Sequence, residues 1–481
     1  MSARFAWRLA LGLAVASAGC SLAPEYKVPT TPEIAAYRAD PAWQPAAPAD
    51  RQAKGQWWTL FGDPELTALE DELMQSSLTL EAAYARYQQS NALAQIARAA
   101  LYPSLDSRGL VTRNRQSENR PLRGVTSPTL YTDALLAANV SYEIDLWGRV
   151  RNSVAAAQAR AEAAGDDFES VRLGLSANLA NDYFILRGLD SDIALLTETE
   201  AAYRRAVELT QSRYEGGVAR RSDVDQALTQ LETARALRID ANLRREQLQN
   251  AIAVLLGRAP EHFTLPPAPL AQQVPAVPAE LPSELLQRRP DIAAAERRVA
   301  AANADVGVAR AAYYPSFSVS GIFGFENDRI GGWISAPNRF WAVGPAFAWP
   351  LFDGGRRAGL NEEAAAAYTE TVANYRETVI QAYREVEDNL AAVRQLGEER
   401  AAQAAAAEHA RQALVQTRNR YAGGIALYLE VVVQQNAALA AEQAELNARV
   451  RQYSAAVQLV KALGGGWEPV RVSLDETKPL R

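Results

Sequence analysis

Histidine, cysteine and long apolar runs are nearly absent from this chain. Its 481 residues include two histidines, His262 and His409, and one cysteine, Cys20. Disulfide frameworks, thiolate zinc sites, haem attachment and most histidine-based catalysis are therefore excluded. Beyond the N-terminus, no apolar run approaches the roughly 18 residues that a helical membrane span requires. With 50 basic and 56 acidic residues, the chain also shows no basic stripe of the kind that binds nucleic acid.

Residues 1–19 have the pattern of a signal peptide. Two arginines precede the apolar stretch Leu9–Ala18, which is too short to span a membrane. The only cysteine follows directly, in Ser17-Ala18-Gly19-Cys20, which resembles a bacterial lipobox. We therefore predict cleavage before Cys20 and attachment of lipid to it. An ordinary peptidase site at Ala16-Ser17-Ala18 is the alternative.

The sequence also repeats itself at a long period. Three segments recur in the same order: Ala97–Ser104 as Ala309–Ser316 at an offset of 212 residues, and Arg213–Gly217 as Arg420–Gly424 and Leu256-Gly257 as Leu463-Gly464, both at 207. This period is too long for a solenoid and predicts two large homologous halves. Between the repeated proline (Pro103 or Pro315) and the repeated double glycine (Gly216-Gly217 or Gly423-Gly424), the two copies therefore differ in length by five residues.

Very long helices are predicted in both halves. Val150–Arg213 and Arg356–Arg420 lack proline and are rich in Ala, Glu, Gln and Arg, and each would be about 95–100 Å long. A double glycine should then turn each chain back into a return helix. The return helices are predicted at Val218–Leu256 and Ile425–Leu463, and shorter helices near Glu65–Leu101 and Pro290–Tyr313.

Between these helices, apolar and polar residues alternate. The pattern runs without a miss through Leu136–Trp147 and recurs at Phe317–Phe325 and Val343–Leu351. It fits either a half-buried soluble sheet or lipid-facing strands around a wet interior, and periodicity alone leaves both open. Four strands cannot close a barrel, and an open sheet edge in lipid costs several kcal/mol for each unsatisfied backbone group. A membrane interpretation therefore requires oligomerisation, and three copies would supply twelve strands around a lumen.

Six motifs occur in a characteristic order. They are Cys20–Tyr26, Trp57-Trp58, Phe61–Leu66, Asp145–Arg149, Leu281–Leu286 and Arg288–Ile292. With these motifs and the duplication, residues 20–468 resemble the TolC-like outer membrane factors of Gram-negative tripartite efflux systems, in particular the lipoprotein branch that works with resistance-nodulation-division pumps. The resemblance implies long coiled-coil helices forming a periplasmic α-barrel, with two β-hairpins per chain contributing to a trimeric twelve-stranded transmembrane β-barrel.

The same resemblance implies the partners: two further copies in a homotrimer, a periplasmic adaptor, an inner membrane resistance-nodulation-division pump and outer membrane lipid. Neither a cofactor nor a metal nor enzymatic activity is expected, because the pump supplies the energy. The predicted organisation is a signal peptide at 1–19, a lipidated leader at 20–64, a first repeat at 65–259 with a hairpin near 103–148, an equatorial connector at 260–289, a second repeat at 290–467 with a hairpin near 315–353, and a tail at 468–481.

Members of this family close at the periplasmic tips of their inner helices, through polar networks, rings of acidic side chains and an apolar collar. The residues that match here are Asp223 and Glu430 as the acids and Leu429 as the collar; as a further hypothesis, Arg220 and Arg221 supply a compensating cation. Two positions depart from the family pattern, since Val433 replaces a frequent acid and Ala426 replaces a gating arginine of some members. The residues predicted to form the tip turns and to contact the adaptor are Tyr214, Gly216, Gly217, Tyr421, Gly423 and Gly424.

We therefore expect an outer membrane exit duct that conducts small molecules passively from pump and adaptor to the exterior. A channel for type I protein secretion would share the fold and differ in its cargo. A soluble periplasmic coiled-coil scaffold, with ordinary sheet in place of a barrel, is a further alternative. An exported hydrolase would need a nucleophile with a positioned base, which two scattered histidines make improbable.

Overall fold

The computed structural model describes residues 21–31, 56–121, 124, 128–275 and 289–465. The predicted signal peptide, Cys20 and the tail at 468–481 lie outside the described residues, as do parts of the leader and the connector. By its contacts the chain divides into two compact units. The first contains residues 21–30, Tyr87–Ala164 and Ala294–Tyr375, and the second contains the other described segments.

Helices make up most of the described chain. They are α1 (Pro64–Ser76), α2 (Leu78–Ala99), α3 (Arg149–Glu215), α4 (Arg221–Leu255), α5 (Pro290–Ala311), α6 (Arg356–Ala422) and α7 (Tyr428–Ala462). Both α3 and α6 contain 67 residues, which confirms the prediction of very long helices. Within the described residues, no helix combines the length and apolar character needed to cross a membrane.

The predicted helix boundaries were wrong in two places. Each return helix has 35 residues, because the residues after the second glycine belong to the turn and not to the helix. The predicted helix at Glu65–Leu101 is broken at Ser77, whose ψ of 116° is extended. The break allows the Ser76 hydroxyl to donate to the Leu256 carbonyl oxygen at 2.8 Å, where Gly257 turns the chain at a φ of 71°.

A four-stranded antiparallel sheet lies in the first unit. Its strands β1 (Ser104–Arg115), β2 (Leu130–Ile144), β3 (Ser316–Asn327) and β4 (Arg339–Ala348) occur in the order β1-β2-β3-β4. The prediction that one strand runs to Trp147 was wrong, since β2 ends at Ile144. The reason is that the Asp145 carboxylate accepts the backbone N–H groups of Val150 and Arg151, at 3.1 and 2.9 Å, and so caps the start of α3.

The two hairpins of this sheet share one register. Ser104 pairs with Ser141 in the first hairpin, and Ser316 pairs with Ala348 in the second. The first strands of the two hairpins therefore correspond at a sequence offset of 212 residues (316 minus 104). The second strands correspond at an offset of 207 residues (348 minus 141). The five-residue difference between the halves therefore lies in the loops that join the strands of each hairpin.

The main core lies in the second unit. Leu66, Leu73, Tyr183 and Ile252 are among its fully buried side chains, drawn from α1, α3 and α4. The Tyr183 hydroxyl donates to Asp63 at 2.7 Å, and the other oxygen of Asp63 accepts the first backbone N–H groups of α1. The packing of the core and the cap of α1 are therefore coupled through one carboxylate.

Candidate functional site

The residues predicted to form a gate lie at the two corners where long helices turn back, both in the second unit. We call residues 213–226 the first tip and residues 420–433 the second tip. In each, the second glycine has left-handed backbone, with φ of 71° at Gly217 and 79° at Gly424. The Val218 N–H donates back to the Arg213 carbonyl at 2.8 Å, and the Ile425 N–H to the Arg420 carbonyl at 2.9 Å. This is the helix-ending motif that favours glycine.

Only the second glycine of each pair is required by this geometry. A Cβ at Gly216 would lie 3.4 Å from the nearest atom and one at Gly423 would lie 3.5 Å away, which are ordinary contacts. Neither residue has a positive φ. The prediction that the double glycines turn the chain is thus sharpened to Gly217 and Gly424.

Asp223 and Glu430 occupy the third position of their helices. The Arg220 N–H donates to Asp223 Oδ2 at 3.1 Å, and the Leu427 N–H donates to Glu430 Oε1 at 3.1 Å. An acid at this position caps a helix by binding the N–H of the residue that precedes its first turn. The 207-residue correspondence between the two acids therefore has a structural explanation that is independent of gating.

The remaining predicted gate residues are exposed. Arg221 forms an ion pair with Asp225 of its own helix at 3.1 Å, and Arg220 is exposed at the turn. Glu430 also faces Arg420 at 3.8 Å across the second tip. Leu429 is 54% exposed. The arginines of the first tip thus lie at a helix start, and Arg221 pairs with an acid of that same helix.

A cluster that the sequence did not reveal joins the two tips. Arg213 Nη1 donates to the Tyr421 carbonyl oxygen at 2.9 Å, and its guanidinium lies 4.7 Å from the centre of the Tyr421 ring. Tyr421 packs against Tyr428 with ring centres 5.4 Å apart. Burial raises the pKa of Tyr428 to about 12, with smaller contributions from Tyr421, Tyr203 and Asp223. The two helical hairpins of one chain, α3–α4 and α6–α7, are therefore linked at their tips.

This cluster changes the expectation for one predicted contact residue. Tyr214 is 39% exposed, whereas Tyr421 is only 8% exposed and lies under Arg213. A partner that docks at the tips would reach Tyr214 directly and would meet the neighbours of Tyr421 first. The repeated Arg-Tyr pair was visible in the sequence, but nothing in it indicated that Arg213 would bind the other copy of the tyrosine.

The two tips differ in chemistry at three of four equivalent positions, and the first position is apolar in both. The corresponding residues are Val218, Arg220, Ser222 and Gln226 in the first tip, and Ile425, Leu427, Leu429 and Val433 in the second. All four residues of the second set are more than half exposed. An apolar surface of this kind on a helix end usually marks an interaction site.

The sheet has one apolar and one polar face. The residues of β4 on the apolar face include Trp341, Val343 and Phe347, which are 72%, 66% and 71% exposed. The outer edges of β1 and β4 have no strand partner within the described residues. Unpaired edges next to exposed aromatic side chains are a surface that a monomer in water would normally cover.

Aromatic side chains lie where the strands meet the helices. Trp147 Nε1 donates to the Pro315 carbonyl oxygen at 2.8 Å, and its ring stacks on Tyr314 at 4.7 Å. This contact ties the end of the first hairpin to the start of the second. It accounts for the tryptophan of the segment Asp145–Arg149, whose acid caps α3 and whose glycine has a φ of 75°.

The segment next to the predicted lipid-attachment residue is bound to helices of the first unit. Ser21 Oγ donates to Asn152 Oδ1 at 3.0 Å, and Asn303 Nδ2 donates to the Pro24 carbonyl at 2.9 Å. A Cβ at Gly307 would lie 2.9 Å from Ala23 Cα. Because Gly307 has no side chain, the leader can lie directly against α5 at this position.

Metal binding has no support among the residues that the structure describes. No group of three or more His, Cys, Asp or Glu side chains is placed to share an ion there.

Comparison with known proteins identifies the family. The sequence profile of the outer membrane efflux proteins matches residues 69–258 and 281–465, well over half of the chain. The chain belongs to the outer membrane efflux protein family. The family resemblance expected from the motifs is thereby confirmed.

Individual family members are similar over nearly their whole length. The probable efflux pump outer membrane protein TtgC of Pseudomonas putida is 33% identical over 451 residues, which cover 93% of each chain. The outer membrane protein OprJ of Pseudomonas aeruginosa is 33% identical over 475 residues, 96% of each chain. The solved outer-membrane channel OprN superposes with a TM-score of 0.86 at 30% identity, over 94% of this chain and 100% of that one. The fold is therefore that of an outer membrane efflux channel.

Proposed function

We propose that this chain forms the outer membrane exit duct of a tripartite efflux system, through which small molecules leave passively. The observation that carries the proposal is a sheet with one apolar aromatic face and two edges that no other described strand covers. In lipid such edges must be closed by further strands, because unsatisfied backbone groups there cost several kcal/mol each. Three copies would close a barrel of twelve strands with a water-filled interior.

The partners follow from the relatives. TtgC is named as an efflux pump outer membrane protein, and a passive duct needs a pump to supply the energy for transport. We therefore assign a periplasmic adaptor and an inner membrane resistance-nodulation-division pump as partners. The domain boundaries predicted from the sequence, including the connector at 260–289, are part of this proposal, as is the absence of enzymatic activity.

Two measurements on purified protein test the duct. The detergent-extracted chain should run as a trimer and should produce ion-conducting channels in a planar bilayer. Deleting the gene should increase the susceptibility of the cell to small toxic compounds, and the intact gene should restore resistance. A monomer that conducts no ions would contradict the proposal.

Lipid attachment at Cys20 is a separate part of the proposal. It is supported by the position of the only cysteine after an apolar signal segment and by the hydrogen bond from the next residue, Ser21, to Asn152 in the first turn of α3. Cells grown with labelled palmitate should label the intact protein and not the Cys20→Ala variant. Equal labelling of both proteins would contradict the assignment.

We further propose that the tips form the periplasmic gate. The apolar surface around Leu429 supports a closed collar, with Asp223 and Glu430 as acidic rings and Arg220 and Arg221 as nearby cations. Leu429→Asp should increase the conductance of the closed channel, because three like charges would repel one another on the axis. Ser222→Asp, at the equivalent position of the first tip, is the control that should change conductance less. Equal effects would refute the collar.

A further inference from the structure

Charged side chains are divided between the two faces of the sheet according to their sign. The pairings from β1 through β4 show which residues of each strand share a face. Three arginines of the strands, Arg113, Arg115 and Arg339, lie on the apolar face, whereas Arg108 lies on the polar face. The acids of the four strands are all on the polar face: Asp106, Asp133, Glu143 and Glu326.

The three arginines also share one end of the apolar face. Arg115 is the last residue of β1 and Arg113 lies two residues before it, while Arg339 is the first residue of β4. A ten-residue strand such as β4 spans roughly 25 Å along the membrane normal when it tilts by about 40°, which is the height of the apolar band of a barrel. The arginines therefore lie at a boundary of that band, where a lipid-facing arginine is tolerated, and not at its middle, where it is costly.

The leader and the helices indicate which leaflet this boundary faces. Ser21 binds Asn152 in the first turn of α3, so the lipid proposed at Cys20 would lie at the helix end of the sheet. Both α3 and α6 begin at that end, directly after β2 and β4, and in the proposed duct they extend into the periplasm. The loop ends of the two β-hairpins, with the three arginines, then belong to the leaflet that faces the exterior.

The guanidinium group is suited to binding phosphate. Its N–H donors form a planar fork that can bind two phosphate oxygens at once. Arg113 and Arg115 are both exposed and are next neighbours on the apolar face, about 7 Å apart along the strand. Arg113 Nη1 donates to Thr132 Oγ1 at 2.9 Å, and Thr132 lies directly opposite on β2. Because the strands place no acid on this face, an anion that neutralises these arginines has to come from outside the strands.

We propose that Arg113, Arg115 and Arg339 bind the phosphate groups of the phosphorylated glycolipid in the outer leaflet. Within one chain the arginines lie on opposite edges of the sheet, three strand spacings or about 14 Å apart. In the proposed trimer, β4 of one copy adjoins β1 of the next, so Arg339 of one copy joins Arg113 and Arg115 of its neighbour in one site. This inference rests on the proposed function, because it requires the sheet to lie in a membrane as part of a closed barrel.

The surroundings of the arginines favour a lipid over a soluble anion. Trp341 is 72% exposed and lies two residues from Arg339 on the apolar face. Val111 is 48% exposed and lies two residues from Arg113 on the same face. A ligand that joins phosphate groups to acyl chains would contact both the arginines and these apolar side chains. A free phosphate ion would contact the arginines alone.

Lipid binding by the full-length trimer in detergent tests the site. The probe is lipid A with both of its phosphates, and bound lipid is counted by native mass spectrometry during a titration. The triple variant Arg113→Gln, Arg115→Gln, Arg339→Gln should bind it at least about tenfold more weakly, since each arginine near an anionic lipid surface contributes to the attraction. Lipid A without its phosphates should bind the unmodified protein as weakly as intact lipid A binds the triple variant.

Arg108→Gln is the matched control, because Arg108 lies on β1 but on the polar face. It removes the same charge from the same strand and should leave lipid A binding nearly unchanged. Arg115→Gln alone should weaken binding by about fivefold, and it provides the test if the triple variant does not assemble. Arg115→Lys retains the charge without the planar fork, so its binding should fall between that of Arg115→Gln and that of the unmodified protein.

The outcomes separate this inference from the proposed function. Equal weakening by Arg108→Gln and Arg115→Gln would overturn the assignment to the apolar face. Displacement of lipid A by millimolar inorganic phosphate would show a site for a free anion and overturn the lipid assignment. Unchanged binding in a triple variant that is trimeric and conducts ions would refute the lipid site and leave the duct intact. A monomeric and non-conducting unmodified protein would instead refute the duct.

Discussion

The two helix tips share a backbone and differ in surface chemistry. Each has a left-handed second glycine, Gly217 or Gly424, and each has an acid that caps the return helix, Asp223 or Glu430. The first tip presents arginine, serine and glutamine where the second presents leucine and valine. Features that the tips share are therefore explained by the need to turn a helix, and a specific function is better sought where they differ.

The largest expected difference between the tips is at Tyr428, whose equivalent in the first tip is Arg221. Tyr428 is 3% exposed and packs in a cluster with Tyr421 and Val431, so Tyr428→Ala should lower the local opening free energy of the second tip by about 3 kcal/mol. Arg221→Ala should change the first tip by about 0.5 kcal/mol or less, because its ion pair is exposed. Amide hydrogen exchange at the two tips measures both values, and similar losses would contradict the comparison.

A second difference concerns the equivalent arginines Arg213 and Arg420. Arg213 makes both a hydrogen bond and a ring contact with Tyr421, so Arg213→Ala should destabilise the link between the tips by about 2 kcal/mol. Arg420 has an exposed ion pair at 3.8 Å, so Arg420→Ala should cost about 0–1 kcal/mol. Protease cleavage at the second tip is the measurement.

Arg213→Lys serves as the control for charge. It retains the positive charge but lacks the planar group that covers the Tyr421 ring. Cleavage like that of Arg213→Ala would show that shape maintains the link, whereas cleavage like that of the unmodified protein would attribute the link to charge alone and remove the ring contact from the explanation.

A smaller difference separates the two glycines within each tip. Gly424→Ala should destabilise the second tip by about 1 kcal/mol, because alanine is strained at a positive φ. Gly423→Ala should be nearly neutral, since its Cβ would make only ordinary contacts. In the first tip, Gly217→Ala should likewise be destabilising and Gly216→Ala nearly neutral. Hydrogen exchange at residues after each turn is the readout, and a larger effect at either first glycine would refute the geometry.

Sequence periodicity predicted the long helices and the hairpins because both patterns are local. It placed the end of β2 at Trp147, since an alternating pattern cannot reveal that Asp145 turns to cap α3. It also missed the break at Ser77, next to which the Ser76 hydroxyl donates to the carbonyl oxygen of Leu256, 180 residues away along the chain. The link from Arg213 to Tyr421 escaped prediction for the same reason, because it joins residues 208 apart.

The smallest expected effects decide between capping and gating at the two acids. Glu430→Gln and Asp223→Asn retain an oxygen that can accept the capping N–H, so helix stability should fall by only a few tenths of a kcal/mol, whereas the alanine variants should lose about 0.5–1 kcal/mol. If the acids also form charged rings, the amide variants should change single-channel conductance although their hydrogen exchange changes only slightly. Unchanged conductance in both amide variants would leave capping as the only role of these residues and would move the gate to the apolar surface around Leu429.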